Sequence, residues 1–193
     1  QMIAKGLDFD EVTLVGVINA DTMLHLPDFR SSERTFDLIE QVAGRSGRAH
    51  LAGKVIVQTY SASDTAIQSA AHYDRERFLK EELKLRQEME YPPFVRLANV
   101  LIWGRDEQAI KALGNEFFSD IRKEVEKRGC KGWTIFPPTA CVLSRLKGVW
   151  RYHLLIKAPV RDDISSVLAP LFRTRKSIEG VQVSLDIDPI SLL

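Results

Sequence analysis

Two adjacent prolines in "EYPPFVRL", Pro92 and Pro93, constrain the fold more than any other feature of the sequence. Proline has no amide to donate within a helix, and it biases the residue before it toward extended geometry. The helix that precedes them must stop near Tyr91, so the chain is read as two folding units meeting there. Before the break, "VTLVGVI" (Val12 to Ile18) is a nearly continuous, β-branched apolar run, the pattern of a strand buried on both faces of a parallel sheet. From Ser31, the apolar residues Phe36, Ile39, Val42 and Ala43 recur at three- and four-residue intervals. That spacing predicts an amphipathic helix with Ser31 or Ser32 as its cap. "KVIVQTY" (Lys54 to Tyr60) gives a second strand, and strand, helix, strand in this order is a βαβ unit of an α/β layer.

The segment from Asp74 to Glu90 carries both charge signs, with Glu76 and Lys80, and Glu82 and Arg86, in the favourable i,i+4 order. Phe78, Leu79, Leu83, Leu85 and Met89 form only a narrow apolar stripe, which predicts a solvated helix lying along a surface. Beyond the prolines the order changes. "RLANVLIWG" reads as a strand, and Asp106 to Arg128 as a long helix with Ile110, Leu113, Phe117, Ile121 and Val125 facing inward. "WTIFPP" is a short strand, and "CVLSRLKGVWRYHLLIK" is two strands turning at Lys147 and Gly148. "DDISSVLAPLFRTRK" is a helix interrupted by Pro170, and "VQVSLDI" is a last strand. This succession predicts an α+β, split-βαβ (ferredoxin-like) sandwich. The expected division is residues 1–72, residues 73–94 as a charged helix and Pro-Pro linker, and residues 95–193.

A chain of 193 residues with 45% apolar and 27% charged residues has the composition of a globular protein. Its net charge of +1 excludes a uniformly basic nucleic-acid binder, so any such binding rests on local patches. No apolar run approaches the ~20 residues that span a bilayer. The start, "QMIAKGLDFDEV", lacks the apolar core of a signal peptide and an initiator Met, and is read as the beginning of a piece cut from a longer protein. Cys130 and Cys141 have neither CxxC spacing nor a nearby histidine pair, so no metal site is expected and a reducing, cytoplasmic setting is.

Chemistry concentrates in "QVAGRSGR", Gln41 to Arg48. If helical geometry persists, Arg45 and Arg48 leave one face about 5–6 Å apart at Cβ. Two guanidinium forks so placed suit phosphate oxygens. Arginine near a helix C-terminus followed by glycine equally fits an ordinary helix end, and these residues by themselves favour neither reading. Lys5, Gly6 and Asp8 lie just before the first strand, where a backbone turn and a carboxylate can reach a ligand of an α/β sheet, although by themselves they fit a frayed terminus with a turn glycine better.

"QMIAKGLDF" resembles motif V, and "QVAGRSGR" motif VI, of superfamily 2 helicases. With "DFRSSERTFDLIEQ", "YPPF", "KGVWRYHLLIK" and "LDIDP", nearly the whole chain resembles the C-terminal part of the primosomal protein N′ (PriA) family of replication-restart DNA helicases. The resemblance implies that residues 1–72 are part of the second RecA-like helicase lobe. It makes Arg45 and Arg48 the motif VI arginines that stabilise charge at the γ-phosphoryl group of ATP, an effect worth about 10³ to 10⁵ in rate. Gln41, Gly44, Gly6 and Asp8 would be further ATP-site residues. It also implies ATP and Mg²⁺ as cofactors of the full-length protein, zinc elsewhere in the family but not in this piece, and a cytoplasmic, nucleoid-associated monomer. Its implied partners are branched or single-stranded DNA, single-stranded DNA-binding protein and other primosome proteins, with no membrane.

A phosphate-binding loop, G-x-x-x-x-G-K-[ST], is not met: Gly47, Gly53 and Lys54 have the wrong spacing and are followed by Val55. The fragment alone is therefore expected not to hydrolyse ATP. In the C-terminal half, Arg145, Lys147 and Arg151 interleave with Trp150 and Tyr152, a mixture that serves single-stranded DNA. Alternation puts Arg151 and His153 on one strand face and Trp150, Tyr152 and Leu154 on the other, so Trp150 is either a stacking residue or a core residue. By the same resemblance Arg161 would help hold the acidic tail of single-stranded DNA-binding protein. A different function class stays open on the sequence, a non-catalytic nucleic-acid-binding scaffold with a degenerate RecA-like half.

Overall fold

The computed structural model describes residues 13–44, 54–175 and 178–192. They form a mixed α/β structure in two compact units that divide between Leu85 and Arg86.

In the first unit, β1 (Leu14–Val17) pairs in parallel with β2 (Lys54–Val57), Leu14 opposite Lys54 and Val17 opposite Val57. Between them come the short α1 (Asp21–Leu24) and α2 (Ser31–Ala43), and β2 is followed by α3 (Thr65–Ala71) and α4 (Arg75–Glu88). Phe36 and Ile39 on the apolar face of α2 are buried with Ala20, Leu24, Ala66, Ile67, Ala70 and Phe78. Phe36 and Phe78 stack at 4.2 Å between ring centroids, with the Arg75 guanidinium 5.6 Å from the Phe36 ring.

Two expectations are corrected in this unit. The parallel pair is not covered on both faces by the described residues, since Leu14 and Ile56 are 58% and 49% exposed. Ser31 is the first residue of α2 rather than its cap: its buried hydroxyl lies 2.5 Å from Leu26 O and 2.8 Å from Asp28 O, pinning the Pro27 loop. The Asp28 carboxylate instead accepts from the Arg30 amide. α4 is largely solvated, as its sequence implies: Phe78 and Glu82 are covered, and Leu79, Leu83 and Leu85 are exposed, as is Met89 just past its end.

The second unit is an antiparallel sheet with two helices. Its elements are β3 (Val95–Gly104), α5 (Glu107–Lys127), β4 (Thr134–Ile135), β5 (Thr139–Leu146), β6 (Val149–Pro159), α6 (Ile164–Arg173) and β7 (Val181–Ile187). β3 lies between β6 and β7, while β4 and β5 both pair with β6. The core is the helix-facing side: Ala98, Val100 and Ile102 of β3, Tyr152, Leu154 and Ile156 of β6, and the predicted Ile110, Leu113, Phe117, Ile121 and Val125 of α5. Asp106 caps α5 by accepting from the Gln108 and Ala109 amides. Lys147 and Gly148, at φ 51° and 80°, make the two-residue hairpin turn between β5 and β6.

Pro170 does not interrupt its helix, since α6 continues to Arg173. The missing amide only leaves the carbonyl four residues back without its helical donor, which a short helix tolerates with a bend. At the entry to this unit the Pro92–Pro93 bond is cis. The buried Lys157 of β6 donates to Met89 O (2.7 Å), and its ammonium lies 4.0 Å from the Tyr91 ring centroid, fastening the chain ahead of the prolines to the sheet. Burial pushes this ammonium's pKa down. Arg96 spans the two ends of the unit, binding both carboxylate oxygens of Asp188 (3.1 and 2.5 Å) and Asp162 O.

Candidate nucleic-acid interface

Gln41 and Gly44, expected at the ATP site, lie on the last turn of α2; both are exposed, and Gly44 is the C-cap. Gly6, Asp8, Arg45 and Arg48 lie outside the described residues. The end of α2 is the negative pole of its dipole.

One polar cluster had no sequence signal. The Asp21 carboxylate, just beyond the end of β1, accepts from Thr59 Oγ1 (2.9 Å) and the Tyr60 amide (3.0 Å) beyond the end of β2. His25 Nε2 lies 3.6 Å from Asp21 Oδ1 and 3.1 Å from Ser61 Oγ. The Tyr60 amide holds the Asp21 pKa below its usual value, against a smaller opposing effect of burial. The cluster joins the carboxyl ends of the two parallel strands, the edge at which open α/β sheets present ligands. Asp21 and Thr59 are 38 residues apart, so only the parallel pairing brings them together.

The second unit gathers most of the DNA candidates at one end of its sheet. Arg145 near the end of β5 and Lys147 in the hairpin turn are exposed, and Arg151 is half-buried on β6. Trp150 is half-buried and packs against the core, with the Arg145 guanidinium 5.0 Å from its ring. The aromatic that shares a sheet face with Arg151 is Trp103 of β3, its direct cross-strand partner. Strand alternation in "RLANVLIWG" was the available signal, because Ala98, Val100 and Ile102 are core and Leu97, Asn99, Leu101 and Trp103 point the other way. His153 is on this open face too, near Asn99 Oδ1 at 3.2 Å; burial and the neighbouring Arg151 lower its pKa, so it is neutral at pH 7.

Arg161 lies apart from this group. It is 83% exposed, on the rim of a cavity of about 450 Å³ lined also by Arg128, Lys131, Trp133, Asp162 and Asp163. Asp162 accepts from Trp133 Nε1 (2.7 Å) and is 3.7 Å from Arg161, while Asp163 caps α6. Among the described residues there is no cluster able to hold a metal ion, and no helix is long and apolar enough to cross a membrane.

Residues 87–190, almost the whole of this second unit, match the model of the family described as Primosomal protein N C-terminal domain. The chain belongs to this family. The Primosomal protein N relationship extends into the first unit as well. The chain is 41% identical to the replication restart protein PriA of Bacillus subtilis over 197 residues, covering all of this chain and 24% of that protein. It is 36% identical to that of Treponema pallidum over 193 residues (100% and 29%), and 34% identical to that of Chlamydia pneumoniae over 191 residues (99% and 25%). The chain thus spans about a quarter of the length of these relatives.

Proposed function

We propose that the chain is the C-terminal part of an ATP-dependent DNA helicase that recognises and remodels stalled or branched replication forks and starts primosome assembly for replication restart. The observation that carries this reading is the unbroken similarity of both units to replication restart proteins. In it, residues 1–72 belong to the second RecA-like lobe, for which the parallel β1–β2 pair and the connecting α2 are suitable pieces. Residues 95–193 form a ferredoxin-like, split-βαβ module, a reading supported by the antiparallel order β7, β3, β6, β5 with α5 and α6 as the crossovers.

Arg45 and Arg48 bind and neutralise ATP phosphates, assisted by Gln41, Gly44, Gly6 and Asp8. ATP with Mg²⁺ supplies the phosphoryl group whose hydrolysis opens and closes the interlobe cleft. Arg145, Lys147 and Arg151 contact DNA. Arg161 meets the acidic tail of single-stranded DNA-binding protein, and further primosome proteins join in the cytoplasm. The test is DNA-stimulated ATP turnover, measured on the complete protein and on the 193-residue chain. Turnover by the complete protein only is expected. No turnover by the complete protein contradicts the enzyme reading, and turnover by the chain alone contradicts the division of the site.

A further inference from the structure

The face of the second unit's sheet that points away from α5 and α6 carries an ordered set of side chains. Direct cross-strand pairing puts Arg151, Trp103 and Gln182 in one row across β6, β3 and β7. His153, Leu101 and Ser184 form the next row, and Leu155, Asn99 and Asp186 the third. In antiparallel strands, directly opposed residues share a face. None of the β3 members of these rows belongs to the helix-facing core, which takes Ala98, Val100 and Ile102 instead. The row beyond these, Lys157 and Leu97, is buried, whereas Trp103, Arg151 and His153 are half-buried and Gln182 is exposed, so the face is open toward the Trp103 end. A planar ring in a row with a guanidinium and an amide, on an antiparallel sheet face open at that end and backed by helices, is a geometry on which splayed bases stack.

The charge around the tryptophan has the matching sign. Gly104 is opposite Trp150, so the end of β3 and the β5–β6 turn lie at the same end of the sheet. Arg105, Arg145 and Lys147 are exposed there, with Arg151 on the face itself. Two nearby carboxylates are engaged, since Asp106 caps α5 and Glu107 binds Lys111 Nζ (2.8 Å) and the Tyr152 hydroxyl (2.7 Å), while Glu179, exposed just before β7, also lies at this end. Asp186 sits at the opposite end of the rows, opposite Asn99. A strand of phosphates running past Trp103 therefore meets Arg151, Arg105 and Lys147 at the end where its base would stack, while the Arg145 guanidinium lies over the Trp150 ring.

We infer that this open face binds single-stranded DNA, with Trp103 as the base-stacking residue and Arg151, Arg105 and Lys147 meeting the phosphates. Trp150, which packs on the helix side, contributes no stacking. The inference rests on the DNA-binding reading of the second unit and adds the face, the ring and the polarity of the site. Bases are held by stacking and cation contact, so the site takes single strands in preference to duplex and has little sequence preference.

The test is fluorescence-anisotropy titration of a labelled oligothymidine with the full 193-residue chain, unmodified and as Trp103→Ala, Trp103→Phe, Trp150→Phe and Gln182→Glu. Trp103→Ala should weaken binding at least about fivefold, the low end of what losing one stacked base costs. Trp103→Phe should retain most of the affinity, and Trp150→Phe should match the unmodified chain. Gln182 is exposed at the strand edge, so Gln182→Glu changes no packing. It should weaken binding by placing a carboxylate in the row, which keeps the test decisive should Trp103→Ala fail to fold. Normal affinity in Gln182→Glu together with normal affinity in a folded Trp103 variant, or a loss confined to Trp150→Phe, overturns the inference and leaves the DNA reading of the unit standing. Failure of the unmodified chain to bind oligothymidine overturns both.

Discussion

Phe78→Ala should unfold or loosen the first unit and leave the second unchanged. Phe78 is 3% exposed and stacked on Phe36, and on α4 only Glu82 is buried beside it. Truncating a buried phenylalanine costs about 3–5 kcal/mol, including loss of the ring pair. With a urea slope of about 1–2 kcal/mol/M for a unit of this size, the midpoint should fall by roughly 2 M or the transition should vanish. The chain provides its own probe: all three tryptophans, Trp103, Trp133 and Trp150, lie in the second unit. Tryptophan fluorescence therefore follows that unit alone, while far-UV circular dichroism also follows α2, α3 and α4. The expected result is an earlier or absent first phase by circular dichroism with an unmoved fluorescence midpoint. Equal shifts by both probes, or a change below about 1 kcal/mol, would refute the assignment of α4 to the first core.

Two further expectations concern single sites. A Cβ built on Gly104 would lie 2.4 Å from Gly180 O, so Gly104→Ala should cost about 1–3 kcal/mol by forcing the end of β3 from β7. The fluorescence midpoint measures this, and an unchanged value contradicts the close approach. Asp21 has its pKa lowered in the folded state chiefly by the Tyr60 amide. Its stabilising effect is thus complete above the ordinary carboxylate value of 3.8 and is lost as pH falls through the lowered folded value. Asp21→Asn should flatten the loss of the circular-dichroism melting temperature between neutral and acidic pH, and an identical pH profile would contradict it.

Elements with a strong period were legible in the sequence. The five apolar positions of α5 repeat at helical spacing and are all buried, and the hairpin turn follows from Lys147-Gly148, where glycine accepts positive φ readily. Two short helices, α1 and α3, were not anticipated, although Asp64 caps α3 by accepting from the Ala66 amide. At four and seven residues they offer too little periodicity and are held by packing against α2. The narrow stripe on α4 was visible, yet its burial depends on what lies beside the helix, which a local pattern does not encode. The site was half legible for a related reason: strand alternation separates Arg151 from Trp150, but it takes the β3–β6 register to put Trp103 beside Arg151.

On the function proposed above, this chain contributes the arginine half of an ATP site to a longer enzyme. That contribution is tested most directly by nucleotide binding and DNA-stimulated turnover of the complete protein carrying Arg48→Ala. Turnover should fall by about 10³-fold or more while nucleotide affinity changes far less, since the arginine acts on charge developing in the transition state. Equal loss of binding and turnover, or turnover that survives, would contradict the claim.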